Sequence, residues 1–276
     1  MNKKFILGVI VFGFVLISCK EVSWKDILDL QNAAIPAVNP DEDKSSVSVK
    51  DLSFYLPSST TSQIVKHDYF TLSYNENAEQ AEWVAYELKK SYIKNNDFKR
   101  PYFIEDPKVI TKSADWRNYK KSGFDKGHLC PAADMEFDIN AYNDTFYTSN
   151  ISPQNHDFNA GIWNRLEQKI RFWAVKNDGL IVVTGGVLKG SSKSIGTEKV
   201  IVPNHFYKIL LSPSKGNYKM LAFLVPNEKS SKPIFNYVVS VDALETMTGI
   251  DFFPKLEDKT ENELEKSVNL NSWLAK

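Results

Sequence analysis

Cysteine is scarce in this chain of 276 residues, which has only Cys19 and Cys130. A framework of several disulfides is therefore excluded, and the fold must be held by its hydrophobic core. Charge of one sign is not in excess either, because Lys plus Arg and Asp plus Glu both total 34. Without a global positive charge, a polyanionic partner must be met by a local basic patch.

The N-terminus lacks an apolar run long enough to span a bilayer comfortably. Lys3 and Lys4 precede an apolar run over residues 5–17, which ends at Ser18 and Cys19. The stretch LISC, residues 16–19, resembles the lipobox of bacterial lipoproteins. We therefore expect residues 1–18 to be a signal peptide and Cys19 to carry lipid, so that the protein is exported and anchored to a bacterial membrane, on its periplasmic or cell-surface side. An uncleaved N-terminal anchor is the alternative.

Residues 19–50 are mostly polar and suit a tether, whereas the composition becomes globular from Asp51 onward. Hydrophobic residues make up 42% of the chain and aromatic residues 13%, which is enough to bury the core of one domain over residues 51–276. Strand patterns occupy residues 67–75, 179–187, 206–213 and 219–227, the last two joined by a hairpin around residues 214–217. Residues 78–90 fit a strand or an amphipathic helix.

Two helices are expected in the second half of the domain. Apolar residues in the segment 159–176 recur every three or four positions, which predicts a helix packed on the core. A second helix is expected over residues 241–247, with Gly249 as its stop. These patterns together predict an α+β domain around a mainly antiparallel sheet with flanking helices.

The stretch FDKGHLCPAADM, residues 124–135, concentrates chemistry in an otherwise ordinary sequence. It contains Asp125, Lys126 and His128, with a glycine that lets the backbone approach a phosphate. A basic strip leads up to it and outnumbers the nearby acids; its members are Lys108, Lys112, Arg117, Lys120, Lys121 and Lys126. Such a strip suits polyphosphate binding, although a solvated basic face is the ordinary alternative.

The segment DKGHLCPAADM resembles the Asp-Arg-Gly-His motif of the DNA/RNA non-specific endonucleases, the ββα-metal nucleases that include endonuclease G. A second segment, FYTSNISPQNHDFNAGIWNRLE (residues 146–167), resembles the second signature of that family. Later segments, VTGGV, VPNHFYKI and SVDALETMTGIDFFP, are similar to family segments in the same order. The resemblance covers residues 66–256, and it implies a ββα-metal nuclease fold and cleavage of DNA and RNA with little sequence preference, leaving 5′-phosphate ends.

The resemblance assigns three central roles. His128 takes the proton from the attacking water, for which a neutral imidazole is a suitable base. Asn159, at the start of the helix 159–176, is the metal ligand, with Mg²⁺ as the expected ion and Mn²⁺ or another divalent cation as alternatives. Glu167 holds a water of that ion. From the residues alone, His128 remains open to a structural role, Asn159 to a helix cap and Glu167 to an ordinary surface position.

Three further residues take supporting roles in the same resemblance. Asn150 fixes the surroundings of His128, and Arg100 binds the scissile phosphate through its guanidinium fork. Lys126 stands where the commonest family motif has arginine, so it keeps the charge but loses the fork. A turn residue is the alternative for Asn150, and a surface arginine is the alternative for Arg100.

Other functions also fit parts of this sequence. Cys130 and His128 invite a Cys-His nucleophile, but no orienting residue or oxyanion site accompanies them, and a small buried thiol fits Cys130 better. The four histidines show no paired spacing with cysteine that would mark a zinc site. A lipid-anchored protein that binds nucleic acid without turnover remains the alternative function, and the sequence leaves a homodimer open.

Overall fold

A computed structural model describes residues 51–213 and 218–274. Its main sheet has seven strands in the order β1-β2-β3-β6-β9-β10-β11, and every neighbouring pair is antiparallel. These strands are β1 (Ile64–Lys66), β2 (Phe70–Asn75), β3 (Gln80–Leu88), β6 (Leu180–Gly186), β9 (His205–Ser212), β10 (Lys219–Pro226) and β11 (Val238–Val239). Two small hairpins pair β4 (Asp125–His128) with β5 (Ile151–Gln154) and β7 (Ser194–Ile195) with β8 (Val200–Ile201).

Helices cover both faces of this sheet. The helices are α1 (Ile139–Asp144), α2 (Asn164–Lys176), α3 (Val241–Thr248), α4 (Asp258–Glu265) and α5 (Asn271–Leu274). Side chains of β3 alternate between the two faces, so that Tyr86 packs in one core with Leu166 and Trp173 of α2, while Trp83 packs in the other with Leu244 of α3. The α+β fold with a mainly antiparallel sheet is confirmed.

The strand predictions for the centre of the sheet are confirmed. β6, the fourth of the seven strands, is buried along its whole length, and β9 pairs with β10. Segment 78–90 contains strand β3 and no α-helix, and because both faces of the strand are buried its sequence lacks the apolar alternation that would have distinguished the two. The second helix is also confirmed as α3, in which the Ser240 hydroxyl accepts the Ala243 N–H and Gly249 ends the helix at φ 77°.

The predicted helix over residues 159–176 is correct only in its second part. Residues 158–163 form one wide turn in which Gly161 has non-helical dihedrals of φ −99° and ψ −106°, and regular α2 begins at Asn164. Glycine tolerates that conformation, so the chain changes direction before α2. Asn159 therefore lies in a wide turn and not in the first turn of α2.

The signal peptide, the lipidated Cys19, the tether and the 214–217 turn concern residues outside those that the structure describes. In the described part of the chain, no helix combines the length and the apolarity needed to cross a membrane.

Candidate active site

The β4–β5 hairpin carries His128 at the end of its first strand. Residues 125–128 pair with residues 154–151 in antiparallel register, so His128 lies opposite Ile151. Gly127 has the side chain of Gln154 packed directly over it, and a β-carbon at position 127 would lie 2.1 Å from Gln154 Cδ. Glycine at position 127 therefore leaves space for the Gln154 side chain. This packing explains the glycine independently of the expected approach to phosphate.

Asn150 clamps the backbone that follows His128. Its Oδ1 accepts the Cys130 N–H at 2.8 Å, and its Nδ2 donates to the carbonyls of Cys130 and Thr145, both at 2.9 Å. The Asn150 carbonyl also accepts the Leu129 N–H at 2.9 Å. Asn150, Cys130 and Thr145 are fully buried, so these bonds face no competition from water. This arrangement fixes residues 129 and 130, and with them the direction of the His128 side chain.

The His128 ring lies between aromatic side chains. Its centroid is 4.9 Å from that of Phe146 and 5.6 Å from that of Phe103. Nε2 is buried and has no hydrogen-bond partner among the residues that the structure describes. Burial, together with the smaller effect of the positive charge of Arg100, lowers the pKa of His128 to about 3. The imidazole is therefore neutral at physiological pH, the state that a general base requires.

Arg100 and Lys126 lie around the same aromatic pair. The Arg100 guanidinium carbon is 5.4 Å from the centroid of Phe146 and 5.5 Å from that of Phe103, and Lys126 Nζ is 5.3 Å from the Phe103 centroid. Lys126 and His128 are two apart on β4, so their side chains project to the same side. The structure thus brings both predicted phosphate-binding cations next to His128.

A buried carboxylate anchors the segment that carries Arg100. Asp106 accepts hydrogen bonds from His67 Nε2 at 2.9 Å and from the Lys108 N–H at 2.8 Å, and its own N–H is bonded to Ser113. Ile104 forms backbone hydrogen bonds with Phe146 and Thr148, which lie in an adjacent segment of the same chain. Arg100 is exposed, but the loop that follows it is tied to the wall of the site.

Asn159 is oriented by the first residue of β4. Its Nδ2 donates to Asp125 Oδ2 at 3.0 Å, and the same carboxylate oxygen lies 2.9 Å from His156 Nδ1. The helix-cap alternative for Asn159 is wrong, because Asn155 Oδ1 accepts the N–H groups of Asp157 and Phe158 at the start of the wide turn. The amide nitrogen of Asn159 is thus engaged, whereas its Oδ1 accepts no hydrogen bond from the described part of the chain.

Glu167 lies in a buried polar network, not on the open surface. Its side chain is 14% exposed, and its Oε1 is 3.9 Å from Nζ of Lys208, a fully buried lysine of β9. Lys208 also donates to the carbonyl of Leu129 at 3.1 Å. Burial raises the pKa of Glu167 to about 7, opposed by the charges of Lys208 and Arg171. Lys208 therefore links Glu167 to the residue that follows His128.

Sequence reasoning missed several members of this network. Arg171, one turn beyond Glu167 on α2, forms a buried ion pair with Asp134, with Nη1 and Oδ1 2.7 Å apart. The Tyr86 hydroxyl donates to the other oxygen of Asp134 at 2.8 Å. The spacing of Glu167 and Arg171 was visible as an i, i+4 pair, and Asp134 stands inside the stretch 124–135. Nothing in the sequence marked Lys208, since lysine is normally exposed.

Cys130 is a buried free thiol, as the sequence favoured. Burial raises its pKa well above the ordinary value, and the carboxylate of Asp134 raises it further. A thiol of this kind is a poor nucleophile.

In residues 51–213 and 218–274, the one close group of three potential metal-binding acids, histidines or cysteines is Asp242, Glu245 and Glu265, so no zinc site involving histidine is found there.

The donor set near His128 fits a hard divalent cation. Asn159 offers a free amide oxygen, and Glu167 is a buried carboxylate whose charge would be stabilised by additional positive charge. An amide oxygen completed by water and substrate phosphate is a ligand set that suits Mg²⁺, and Glu167 would hold one of the waters. The site therefore combines a neutral base, two cations and an amide oxygen that would bind an ion.

Comparison with known proteins agrees with this arrangement. Residues 52–259 match the sequence family described as DNA/RNA non-specific endonuclease. The chain belongs to this family. Its members share a hydrolase activity on phosphodiester bonds, so the chain is a nuclease, and the family assignment drawn from the two sequence signatures is confirmed.

Several of the relatives that this chain resembles are mitochondrial nucleases. Nuclease EXOG from Xenopus laevis is 31% identical over 91% of this chain and 73% of its own length, and Nuclease EXOG from Danio rerio is 35% identical over 70% of this chain and 61% of its own length. Human mitochondrial endonuclease G is 30% identical over 70% of each chain. A crystal structure of the EndoG/EndoGI complex superposes with a TM-score of 0.69 at 26% identity, covering 75% of this chain and 91% of that one.

Proposed function

We propose that this endonuclease hydrolyses DNA and RNA through His128, with a Mg²⁺ ion held by Asn159, and leaves 5′-phosphate ends. The observation that carries the proposal is the neutral His128 imidazole, which lies beside Arg100 and Lys126. His128 ends strand β4, and Asp125 at the start of the same strand is hydrogen-bonded to Asn159.

Each residue has a distinct task in the proposed reaction. His128 Nδ1 accepts a proton from the water that attacks phosphorus, while Asn150 holds the backbone that aims the imidazole. Arg100 and Lys126 neutralise the phosphoryl oxygens, and the Phe103 and Phe146 rings keep both cations near His128. Asp125 orients the Asn159 amide so that its oxygen is available to the ion. When bound, Mg²⁺ supplies charge stabilisation to the departing 3′ oxygen.

Low sequence preference follows from the groups that make contact. Arginine, lysine and a metal ion all address phosphate oxygens, which carry no direct base information. The five members of the basic strip that precede β4 are exposed, and they would extend these backbone contacts and make binding sensitive to salt.

Metal dependence and end chemistry test the proposal together. Supercoiled plasmid and single-stranded RNA are incubated with the full chain in Mg²⁺, Mn²⁺, Ca²⁺ or EDTA, beside Asn159→Ala and, as a matched surface control, Asn143→Ala. We expect cleavage by wild type and the control in Mg²⁺, none in EDTA, and a loss of at least a hundredfold in Asn159→Ala. The products should be ligatable, which requires a 5′ phosphate. Cleavage in EDTA, or products with 5′ hydroxyls, would contradict the assignment.

We further propose that the nuclease is exported from the cytoplasm and is attached to a membrane through a lipid on Cys19. The proposal rests on the sequence resemblance of residues 16–19 to a lipobox and on the polar stretch before Asp51. Radiolabelled palmitate should be incorporated into the wild-type chain and not into Cys19→Ser, and incorporation into both would refute it. Sedimentation velocity would separate a monomer from the homodimer that the sequence leaves open.

A further inference from the structure

A second cluster of acids lies on the opposite face of the sheet from His128. Asp242 and Glu245 are three residues apart on α3, which places them on one side of that helix, and Glu265 is the last residue of α4. One carboxylate oxygen of each lies within 4.8 Å of the others. At that bound a point between the three oxygens is at most about 2.8 Å from each, so a small side-chain adjustment would bring all three to the ~2.4 Å of calcium ligands.

Glu265 is the observation that distinguishes this cluster from ordinary surface acids. The residue is only 5% exposed, and its Oε1 is buried without a hydrogen-bond partner. Glu261, one turn earlier on α4, also has a buried Oε1 that lacks a partner. A buried carboxylate oxygen with no donor is costly, so the native protein must supply either a proton or a positive ion.

No basic side chain meets this need in the described part of the chain. Neither Asp242, Glu245 nor Glu265 forms an ion pair with a lysine or arginine there. Lys255, which is near in sequence, donates instead to the carbonyl of Ser53 at 2.9 Å. Burial, together with the smaller effect of the carboxylates of Glu245 and Glu261, raises the pKa of Glu265 to about 9.

We propose that Asp242, Glu245 and Glu265 bind a structural Ca²⁺ ion that joins α3 to α4. Calcium accepts six to eight oxygen ligands in flexible geometry, so three carboxylates from two helices, completed by water, suit it better than they suit Mg²⁺. Glu245 is already positioned for this role, because its Oε1 accepts the Phe252 N–H at 2.8 Å and its second oxygen is left over. The ion would stabilise the α3–α4 layer without taking part in phosphodiester cleavage.

The test separates this ion from the one at the nuclease site. In the full chain carrying Asn159→Ala, calorimetric titration with CaCl₂ at pH 7.5 should still show one site, with a Kd of about 0.1–1 mM. Replacing EDTA by 1 mM Ca²⁺ should raise the Tm by about 1–6 °C. Adding Glu265→Gln should abolish both effects, whereas Glu263→Gln, an exposed change on the same helix, should leave both intact.

Asp242→Asn keeps the test open if Glu265→Gln does not fold. Asp242 is exposed, so replacing its carboxylate with the amide of asparagine should weaken calcium binding at least tenfold without disturbing the core. The proposal is overturned if the Asn159→Ala chain shows neither heat nor a Tm shift with Ca²⁺, which would mean that Glu265 holds a proton instead. It is also overturned if Glu263→Gln removes the calcium effect as fully as Glu265→Gln does.

Discussion

Replacing Asn150 with alanine should separate the positioning of His128 from the chemistry that His128 performs. The substitution leaves three buried backbone groups without partners, namely the N–H and carbonyl of Cys130 and the carbonyl of Thr145. Each unpaired buried group costs about 1–3 kcal/mol, so we expect a loss of about 3–5 kcal/mol in the free energy of unfolding once partial relaxation is allowed. For a domain of this size, the Tm should fall by about 6–20 °C.

The rate of cleavage should fall by a separate amount. A displacement of the His128 ring by ~1 Å can cost about a hundredfold in rate, and this loss should appear in kcat with KM nearly unchanged. Single-turnover cleavage with excess enzyme at 20 °C measures the chemical step while the variant is still folded, and urea unfolding gives its stability. Asn143→Ala, an exposed change on α1, should alter the unfolding free energy by less than about 0.5 kcal/mol.

Asn150→Asp sharpens the comparison because it changes almost no volume. The acceptor for the Cys130 N–H is kept, but a second oxygen replaces the amide nitrogen opposite two carbonyls. We expect this variant to lose at least as much rate as the alanine variant. An Asn150→Ala protein that is destabilised but cleaves at the wild-type rate would refute the positioning role, and an unchanged stability would refute the hydrogen-bond network itself.

Three further predictions follow from the site. Lys126→Arg should raise kcat/KM several-fold, because it restores a bidentate fork beside Phe103, and a lower value at every salt concentration would contradict that reasoning. Lys208→Met should raise the pKa of Glu167 above about 7, because the charge of Lys208 lowers that pKa in the wild-type chain. A smaller fraction of Glu167 is then ionised at pH 7, so cleavage should fall at pH 7 and recover by pH 9. Carbon NMR of labelled glutamate in EDTA would show the shift directly, and an unchanged titration would argue against the Lys208 contact. Iodoacetamide should leave native Cys130 unmodified and cleavage intact, whereas inactivation that tracks modification of Cys130 would revive the Cys-His reaction.

The sequence predicted the elements whose patterns are local. β6 was recognisable as a continuous apolar strand closed by glycines, and α3 by its stop at Gly249. β3 was ambiguous because it buries both faces and includes Glu82, a polar residue that is satisfied by Thr60 and Ser73 from elsewhere in the chain. Only the tertiary partners of Glu82 explain why a glutamate lies in that strand.

The wide turn before α2 escaped prediction for a different reason. Glycine at 161 interrupts a pattern that otherwise has helical spacing, and a single glycine inside such a pattern is usually tolerated. The site motif was visible because its residues are close in sequence, whereas Lys208 reaches Leu129 from a strand 79 residues away. Contacts of this range follow from sheet order, which no local pattern encodes.

The most direct measurement of the central claim compares wild type and His128→Ala on the same supercoiled plasmid in Mg²⁺, recording binding and cleavage in parallel. We predict equal binding, cleavage by wild type, and a loss of at least a hundredfold in cleavage by the variant. If wild type binds the plasmid without cutting it under any divalent cation, the chain is a binding protein that keeps the nuclease fold. If His128→Ala cuts at the wild-type rate, the base lies elsewhere and the assignment of His128 is wrong.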